Sequence, residues 1–298
     1  MSWVYEMIES WCYRSNRSRS GGFKRKMEKS ILFSDGTEKP PFWASVRVRM
    51  SQSESHGCTT YIFSGKKNSN GKIVLFIHGG GGMSRPTFLH YDFLCRLIKR
   101  TGVTVYMPFY PLAPDYNVRD ALDVLDKIYS DLKDKYGNEN IVFMGDSAGA
   151  NLILSLADRA QERPESLVVI SPAFGIENGE PRDIRLSYEE IDPILSVKMN
   201  DVICENWARN VPLNSRDISP EYVDYTKLPR MLFVYGTHEL FYPLVERAMF
   251  KIKKDNARVL VFEKKACHDF ALCSFLPEGR EAQKRIFDFV EGASNENK

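Results

Sequence analysis

The stretch Ile141-Val142-Phe143-Met144-Gly145-Asp146-Ser147-Ala148-Gly149-Ala150-Asn151-Leu152 decides how the chain reads. An apolar run ends on Met144, and an alanine- and leucine-rich run continues to Ala157. A serine on a sharp strand-to-helix turn needs tiny neighbours, because the two arms of the turn nearly collide. Gly145 and Gly149, two residues to either side, meet that need. Such a turn lifts the hydroxyl of Ser147 out of a sheet and aims the next backbone N–H at the same space. That geometry makes a serine nucleophilic, and it points to a hydrolase. Two glycines and a serine alone are a weak pattern; an ordinary Gly-rich turn has the same letters, so the context carries the weight.

The surrounding pattern is one of alternating strands and helices. Lys72–Ile77, Val103–Met107, Ile141–Met144, Leu167–Ile170, Met231–Tyr235 and Val259–Phe262 read as apolar strands. Amphipathic helices are predicted over 118–132, from Ala148, and over 278–290. Continuous apolar strands between helices indicate a mostly parallel sheet covered on both faces. Ser45–Met50 and Cys58–Phe63 read as two further strands, and Asn70-Gly71 as a hairpin turn leading into the strand at 72–77. The alternation breaks between about 174 and 227, where polar loops surround a helix predicted over 194–210. An insertion of that size lies over the strand ends, where ligands bind.

Bulk properties narrow the function classes. The chain has 298 residues, 43% hydrophobic and 27% charged, with a net charge of +2. Those are the proportions expected of a soluble globular protein, with no strong field to attract nucleic acid. No apolar run is long enough to span a bilayer. The six cysteines, at 12, 58, 95, 204, 267 and 273, lack metal-ligand spacing. Reduced thiols and a cytoplasmic location are the expectation. Near the start, Trp3, Val4, Met7, Ile8, Trp11 and Cys12 recur on one helical face, followed by a basic stretch from Arg14 to Lys26. The favoured reading is a helix packed over the main domain; binding to a membrane surface is the minor alternative.

A serine nucleophile needs an oxyanion hole, a base and an acid. His78-Gly79-Gly80-Gly81-Gly82 directly follows an apolar strand, and consecutive glycines let backbone N–H groups converge without Cβ obstruction. A phosphate loop would want Lys-Ser/Thr next, which Met83-Ser84-Arg85 does not supply.

Together, His78-Gly79-Gly80-Gly81 and Gly145-Asp146-Ser147-Ala148-Gly149-Ala150-Asn151 resemble the hormone-sensitive lipase family of α/β-hydrolases. Tyr110-Pro111-Leu112-Ala113-Pro114-Asp115 and Asp192-Pro193-Ile194-Leu195 resemble further family segments, as do Ser219-Pro220 and Leu228-Pro229. The resemblance spans roughly residues 45 to 290. It implies an α/β-hydrolase fold: a mostly parallel sheet of about eight strands flanked by helices, with a helical cap. The implied division is an N-terminal helical segment over 1–44, a catalytic domain over 45–173 and 228–298, and a cap insertion over 174–227.

By the same resemblance the acid is Glu239, three residues after Gly236, where the family more often has aspartate. Glu246 and Asp224 are the fallback acids. The chain order serine, acid, histidine leaves His268 as the base among five histidines. Ala266-Cys267 ahead of it departs from the family's Gly-Met. The N–H groups of Gly80, Gly81 and Ala148 would meet the oxyanion, while Asp146 would fix the loop. Met83, Tyr110, Ile203 and Trp207 are the candidate pocket residues. The expected activity is hydrolysis of small carboxylic esters, without metal or organic cofactor. Amide hydrolysis on the same triad and a non-catalytic small-molecule receptor are the alternatives. A homodimer stays open.

Overall fold

The computed structural model describes residues 2–16, 25–26, 39–66, 70–174, 182–256 and 258–292. Its centre is one eight-stranded sheet of order β1-β2-β4-β3-β5-β6-β7-β8. The strands are β1 (Arg49–Ser55), β2 (Cys58–Ser64), β3 (Ile73–Ile77), β4 (Thr104–Pro108), β5 (Ile141–Asp146), β6 (Ser166–Ile170), β7 (Arg230–Gly236) and β8 (Val259–Lys264). β1, β2 and β4 pair antiparallel, and every pairing from β4 through β3 to β8 is parallel. All residues of β3, β5 and β6 are buried. That is what their uninterrupted Ile/Val/Leu/Phe runs require of strands covered on both faces. Each such side chain removed from water contributes about 1.5–3 kcal/mol.

Helices α3 (Phe88–Thr101), α4 (Val118–Tyr136) and α5 (Ala148–Arg159) supply crossovers, with α8 (Tyr242–Asp255) between β7 and β8 and α9 (Pro277–Glu291) closing the chain. α4 shows why these segments are helical. Asn117 caps it by accepting from the N–H groups of Arg119 and Asp120. Its apolar residues Val118, Leu122, Leu125, Tyr129 and Leu132 form one buried stripe.

Two strand-level expectations are corrected. Ser45–Met50 does not form one strand: Phe42–Arg47 is helix α2, and β1 starts only at Arg49. The two prolines before it stand where a helix needs no N–H, and Ala44, with no exposed surface, fits the contact beneath. Nor does Asn70-Gly71 turn a hairpin, because β3 lies between β4 and β5 rather than beside β2. Asn70 instead ties the start of β3 to the α3–β4 turn, through Gly102 O at 3.2 Å and Thr101 O at 2.8 Å. The hairpin is at β1–β2, where His56 and Gly57 both take positive φ.

Two segments lie over the strand ends. In the 174–227 region, α6 (Arg182–Glu189) and α7 (Val197–Ala208) are helical. The helix expected from Ile194 begins later because Asp192 captures the first residues, its Oδ1 accepting from Ile194 N at 2.7 Å and Leu195 N at 2.9 Å. Ser196 then caps α7 through Met199 N. Near the chain start, α1 (Trp3–Asn16) buries Tyr5 and Cys12 and leans Val4 and Ile8 on the core. Trp3, Met7 and Trp11 are exposed, so half of the predicted apolar face points outward. On the inward face Tyr5 packs in the apolar core, while Glu9 and Asn16 meet polar partners. Glu9 meets His238 Nδ1 at 2.5 Å, and Asn16 donates to Pro193 O at 3.3 Å. The basic stretch at 17–24 and the start of the insertion at 175–181 fall outside the described residues.

Candidate active site

β5 runs between β3 and β6, with Gly145 level with Ile77 and Asp146 level with Ile170. The chain then reverses into α5 through Ser147, whose φ of 51° and ψ of −120° lie in a region that non-glycine residues rarely adopt. Ser147 N donates to Ile170 O at 2.9 Å, and Ser147 O accepts from Ala150 N at 3.0 Å. A Cβ on Gly149 would sit 2.0 Å from Ile77 O, so no larger residue fits the turn. The strain at Ser147 is thus held by β3, β5, β6 and α5 together.

His268 follows β8, and Glu239 follows β7. Ser147 Oγ and His268 Nε2 hydrogen-bond at 2.9 Å, and His268 Nδ1 donates to Glu239 Oε2 at 3.1 Å. The other carboxylate oxygen of Glu239 accepts from Ser171 Oγ at 2.7 Å and Gly236 N at 2.6 Å. Glu239 is 1% exposed and His268 5%. Burial raises the Glu239 carboxyl above its ordinary range against the pull of His268, Ser171 and Gly236. Burial works against charge on His268 too. The carboxylates of Asp269, Glu239 and Asp192 outweigh it and raise the imidazole to about 10. The glutamate side chain reaches the imidazole from three residues beyond Gly236. The fallback acids lie elsewhere: Glu246 accepts from Tyr235 OH, and Asp224 caps a turn and pairs with Lys227.

The glycine run after β3 wraps over Ser147. Gly80, Gly81 and Gly82 all have positive φ, and a Cβ on Gly82 would strike the Trp207 ring. Asp146 anchors the run, its Oδ2 accepting from Gly79 N at 3.0 Å and His90 Nε2 at 3.1 Å. Thr87 N in turn donates to His90 Nδ1 at 3.0 Å. Burial opposes charge on His90, but Asp146 prevails and raises its pKa. Burial drives the His78 pKa down to about 3, against the opposing pull of Gly79 O and Asp146, and the ring is neutral. It stacks on Tyr110 at 4.6 Å and donates from Nδ1 to Gly79 O at 2.8 Å.

These groups open on a cavity of about 190 Å³. Ser147, His268, Gly80, Gly81 and Ala148 line one side, and Ile203, Trp207, Leu195 and Met199 from the 174–227 region line another. Of the four candidate pocket residues, Ile203 and Trp207 face the cavity; Met83 and Tyr110 do not. Met83 packs into the core beneath. Tyr110 is fully buried and spends its hydroxyl on His78 O at 2.8 Å. The reason is positional: both residues flank the glycine run on its core side.

Three residues at the site lie outside the set of site residues read from the sequence. Ser171, at φ 43°, links Glu239 to the backbone of the histidine loop, accepting from Asp269 N at 3.1 Å. Asp192 is buried, and its Oδ2 accepts from Leu240 N at 2.7 Å, which ties the cap region to the loop of Glu239. Asp269 faces the cavity beside His268. The only advance signal was Asp192-Pro193, legible as a resemblance but not as a contact.

Comparison with known proteins agrees with this fold. A family model described as alpha/beta hydrolase fold matches residues 74–272. An esterase of Acinetobacter venetianus is 26% identical over 235 residues, 74% of each chain. A carboxylesterase/phospholipase, LipF, of Mycobacterium tuberculosis is 34% identical over 241 residues, which cover 75% of this chain and 63% of that protein. Among solved structures, an esterase from the bacterial hormone-sensitive lipase family superposes with a TM-score of 0.78 at 18% identity, covering 98% of both chains. At that identity the likeness is one of fold.

Proposed function

The chain belongs to the α/β-hydrolase fold family, and we propose that it is an esterase that cleaves carboxylic esters of modest acyl size through an acyl-enzyme on Ser147. The observation that carries the proposal is the unbroken relay from Ser147 Oγ to His268 Nε2 at 2.9 Å and from His268 Nδ1 to Glu239 Oε2 at 3.1 Å, at the wall of a cavity. In this reading His268 takes the serine proton as Oγ attacks the ester carbonyl. Glu239 holds the Nδ1–H tautomer and stabilises the imidazolium. Backbone N–H groups of Gly80, Gly81 and Ala148 receive the developing oxyanion, each such donor being worth roughly 3–4 kcal/mol. His268 returns the proton to the departing alcohol. A water molecule, deprotonated by the same imidazole, then releases the acid.

The cavity's size and its Ile203 and Trp207 wall support short acyl groups over long ones. Asp146, Gly79 and His90 hold the glycine loop in this scheme without touching substrate. The 1–44 and 174–227 segments would act as a cap on a catalytic body formed by 45–173 and 228–298. A non-catalytic receptor of this fold has no need of a hydrogen-bonded base beside its serine, so the relay favours catalysis.

A fluorophosphonate probe tests the assignment: it should label wild-type protein at Ser147, and Ser147→Ala should abolish labelling. The same variant should lose ester turnover by about ten-thousandfold or more. Folded protein that resists the probe and hydrolyses no ester at any pH would sink the reading in favour of a receptor. A panel of acyl esters of rising chain length, run beside matched arylamides, tests the size preference and the ester preference together.

A further inference from the structure

Asp269 sits directly after the proposed base, and nothing in the relay from Ser147 to Glu239 uses it. Its backbone is left-handed, at φ 55°, and is fixed by its N–H on Ser171 Oγ at 3.1 Å. That conformation turns the carboxylate back over the imidazole, with Oδ2 3.4 Å from His268 Nε2. Nε2 is the atom that must take the Ser147 proton. Oδ1 of Asp269 is buried without a hydrogen-bond partner, and no lysine or arginine pairs with the carboxylate among the described residues.

The surroundings are acidic. Glu239 faces His268 from the loop after β7, and Asp192 faces it from the cap region. Asp146 at the end of β5 and His90 on α3 act on Asp269 itself. Cys267 adjoins His268 in sequence, and Cys273 Sγ reaches Asp269 O at 4.0 Å. Arg85 lines the same cavity, but it donates to Tyr110 O at 2.9 Å and lies over the Phe109 ring. His268 is therefore the cation, or the proton partner, that Asp269 has to hand.

We propose that Asp269 is a positioning residue that holds a proton on the Nε2 side of His268, so that the esterase becomes active only as that proton leaves in alkaline solution. The proposal rests on the reading of Ser147 and His268 given above. The carboxylate holds one proton by charge across 3.4 Å, on Nε2 as imidazolium or on Oδ2 as carboxyl facing it. In both forms the Nε2 lone pair is occupied and Ser147 Oγ–H has no acceptor. Loss of that proton to solvent frees the lone pair. During attack the Oγ–H bond breaks, the proton passes to Nε2, and Oγ bonds to the ester carbon; the new imidazolium again faces a carboxylate. The same contact that silences the base at neutral pH thus favours its charged form in the transition state. Burial raises the Asp269 carboxyl, and the His268 imidazole is raised as well, which agrees with one retained proton.

Asp269→Asn and Asp269→Gly test this, since both residues accept the left-handed backbone. The pH profile of kcat/KM should have an alkaline acid limb in wild type. In both variants the limb should move down by about one to three pH units, the range for loss of one close opposite charge. Turnover at neutral pH should rise about tenfold or more, while the alkaline plateau falls. A general packing defect would lower the plateau and leave the limb in place. Nitrogen NMR of the His268 imidazole, assigned with His268→Ala, reads the proton without any hydrolysis. An unmoved His268 titration in both variants overturns the role of Asp269 even if the protein is an active esterase. A moved titration in a protein that no fluorophosphonate labels would keep Asp269's hold on the proton and remove the esterase mechanism built on it.

Discussion

The strand ends and the segments above them hold the site by different means. Ser147, Asp146, Glu239 and His268 stand at or just beyond β5, β7 and β8. Their backbones are fixed by neighbours on both sides, to the point that one added methyl at Gly149 would meet a carbonyl at 2.0 Å. The 174–227 region reaches the same cavity through side chains, among them Ile203 and Trp207 on α7, and is tied to the Glu239 loop by the carboxylate of Asp192. Sheet geometry leaves those four residues one arrangement, whereas packed helices can shift by re-seating a few side chains. Changes at strand ends should therefore strike turnover, and changes in the cap should strike substrate choice and stability.

Glu239→Gln is the severest test of that contrast. The amide keeps the size of the carboxylate but loses the negative charge, and His268 Nδ1–H no longer has a carboxylate to fix its tautomer. Turnover should fall by about ten-thousandfold with a circular-dichroism spectrum like wild type. Near-normal turnover would move the acid role elsewhere and break the contrast at its strongest point. Asp192→Asn comes next, because Asp192 joins the two regions. Its two oxygens accept three backbone N–H groups, from Ile194, Leu195 and Leu240. An amide group must turn a donor toward one of them, at a cost of about 1–3 kcal/mol. Thermal unfolding should shift to lower temperature and turnover should drop about tenfold. Unchanged turnover with the same loss of stability would show that the cap region holds the Glu239 loop in place without tuning it.

Ile203→Ala should act on selectivity. The side chain lies over Gly81, so its removal enlarges the cavity beside the oxyanion donors. Preference should move toward longer acyl chains by about tenfold in the ratio of kcat/KM values, the worth of one or two methylene contacts. The rate for the smallest ester should change little. A collapse of that rate instead would place Ile203 with the strand-end group.

What could be read in the sequence follows the same division. The strand-end residues are legible because backbone geometry restricts residue type: glycines flank the elbow, glycines form the loop after β3, and apolar runs mark the buried strands. Glu239 is placed only by the family resemblance and by counting from Gly236 across a loop, which no backbone restriction marks. The cap contacts carry no such restriction. Ile203 and Trp207 face the cavity because α7 starts at Val197, and that start depends on Asp192 drawing in Ile194 and Leu195. Met83 and Tyr110 look like wall residues in sequence yet lie on the core side of the glycine run. Ser171 and Asp269 went unread for another reason. Their positive φ angles are set by the meeting of β6, β7 and the histidine loop, and a single residue's conformation leaves no periodic trace. The turn from Pro41 into α2 was lost to alternation alone, which a short helix can imitate.

The smallest effect belongs to α1. Tyr13 OH donates to Ile191 O, and Asn16 donates to Pro193 O, so the helix brackets Asp192 through the backbone on either side. Tyr13→Phe removes one of these bonds and keeps the ring. The expected loss is about 0.5–1.5 kcal/mol of stability, with kcat unchanged and KM raised by no more than about twofold. Thermal unfolding and steady-state kinetics on the full chain measure both. A fall in kcat as large as that of Asp192→Asn would mean that α1 sets the position of Asp192, and through Leu240 that of Glu239. The N-terminal helix would then belong with the strand ends, and the boundary between what carries the chemistry and what covers it would run through α1.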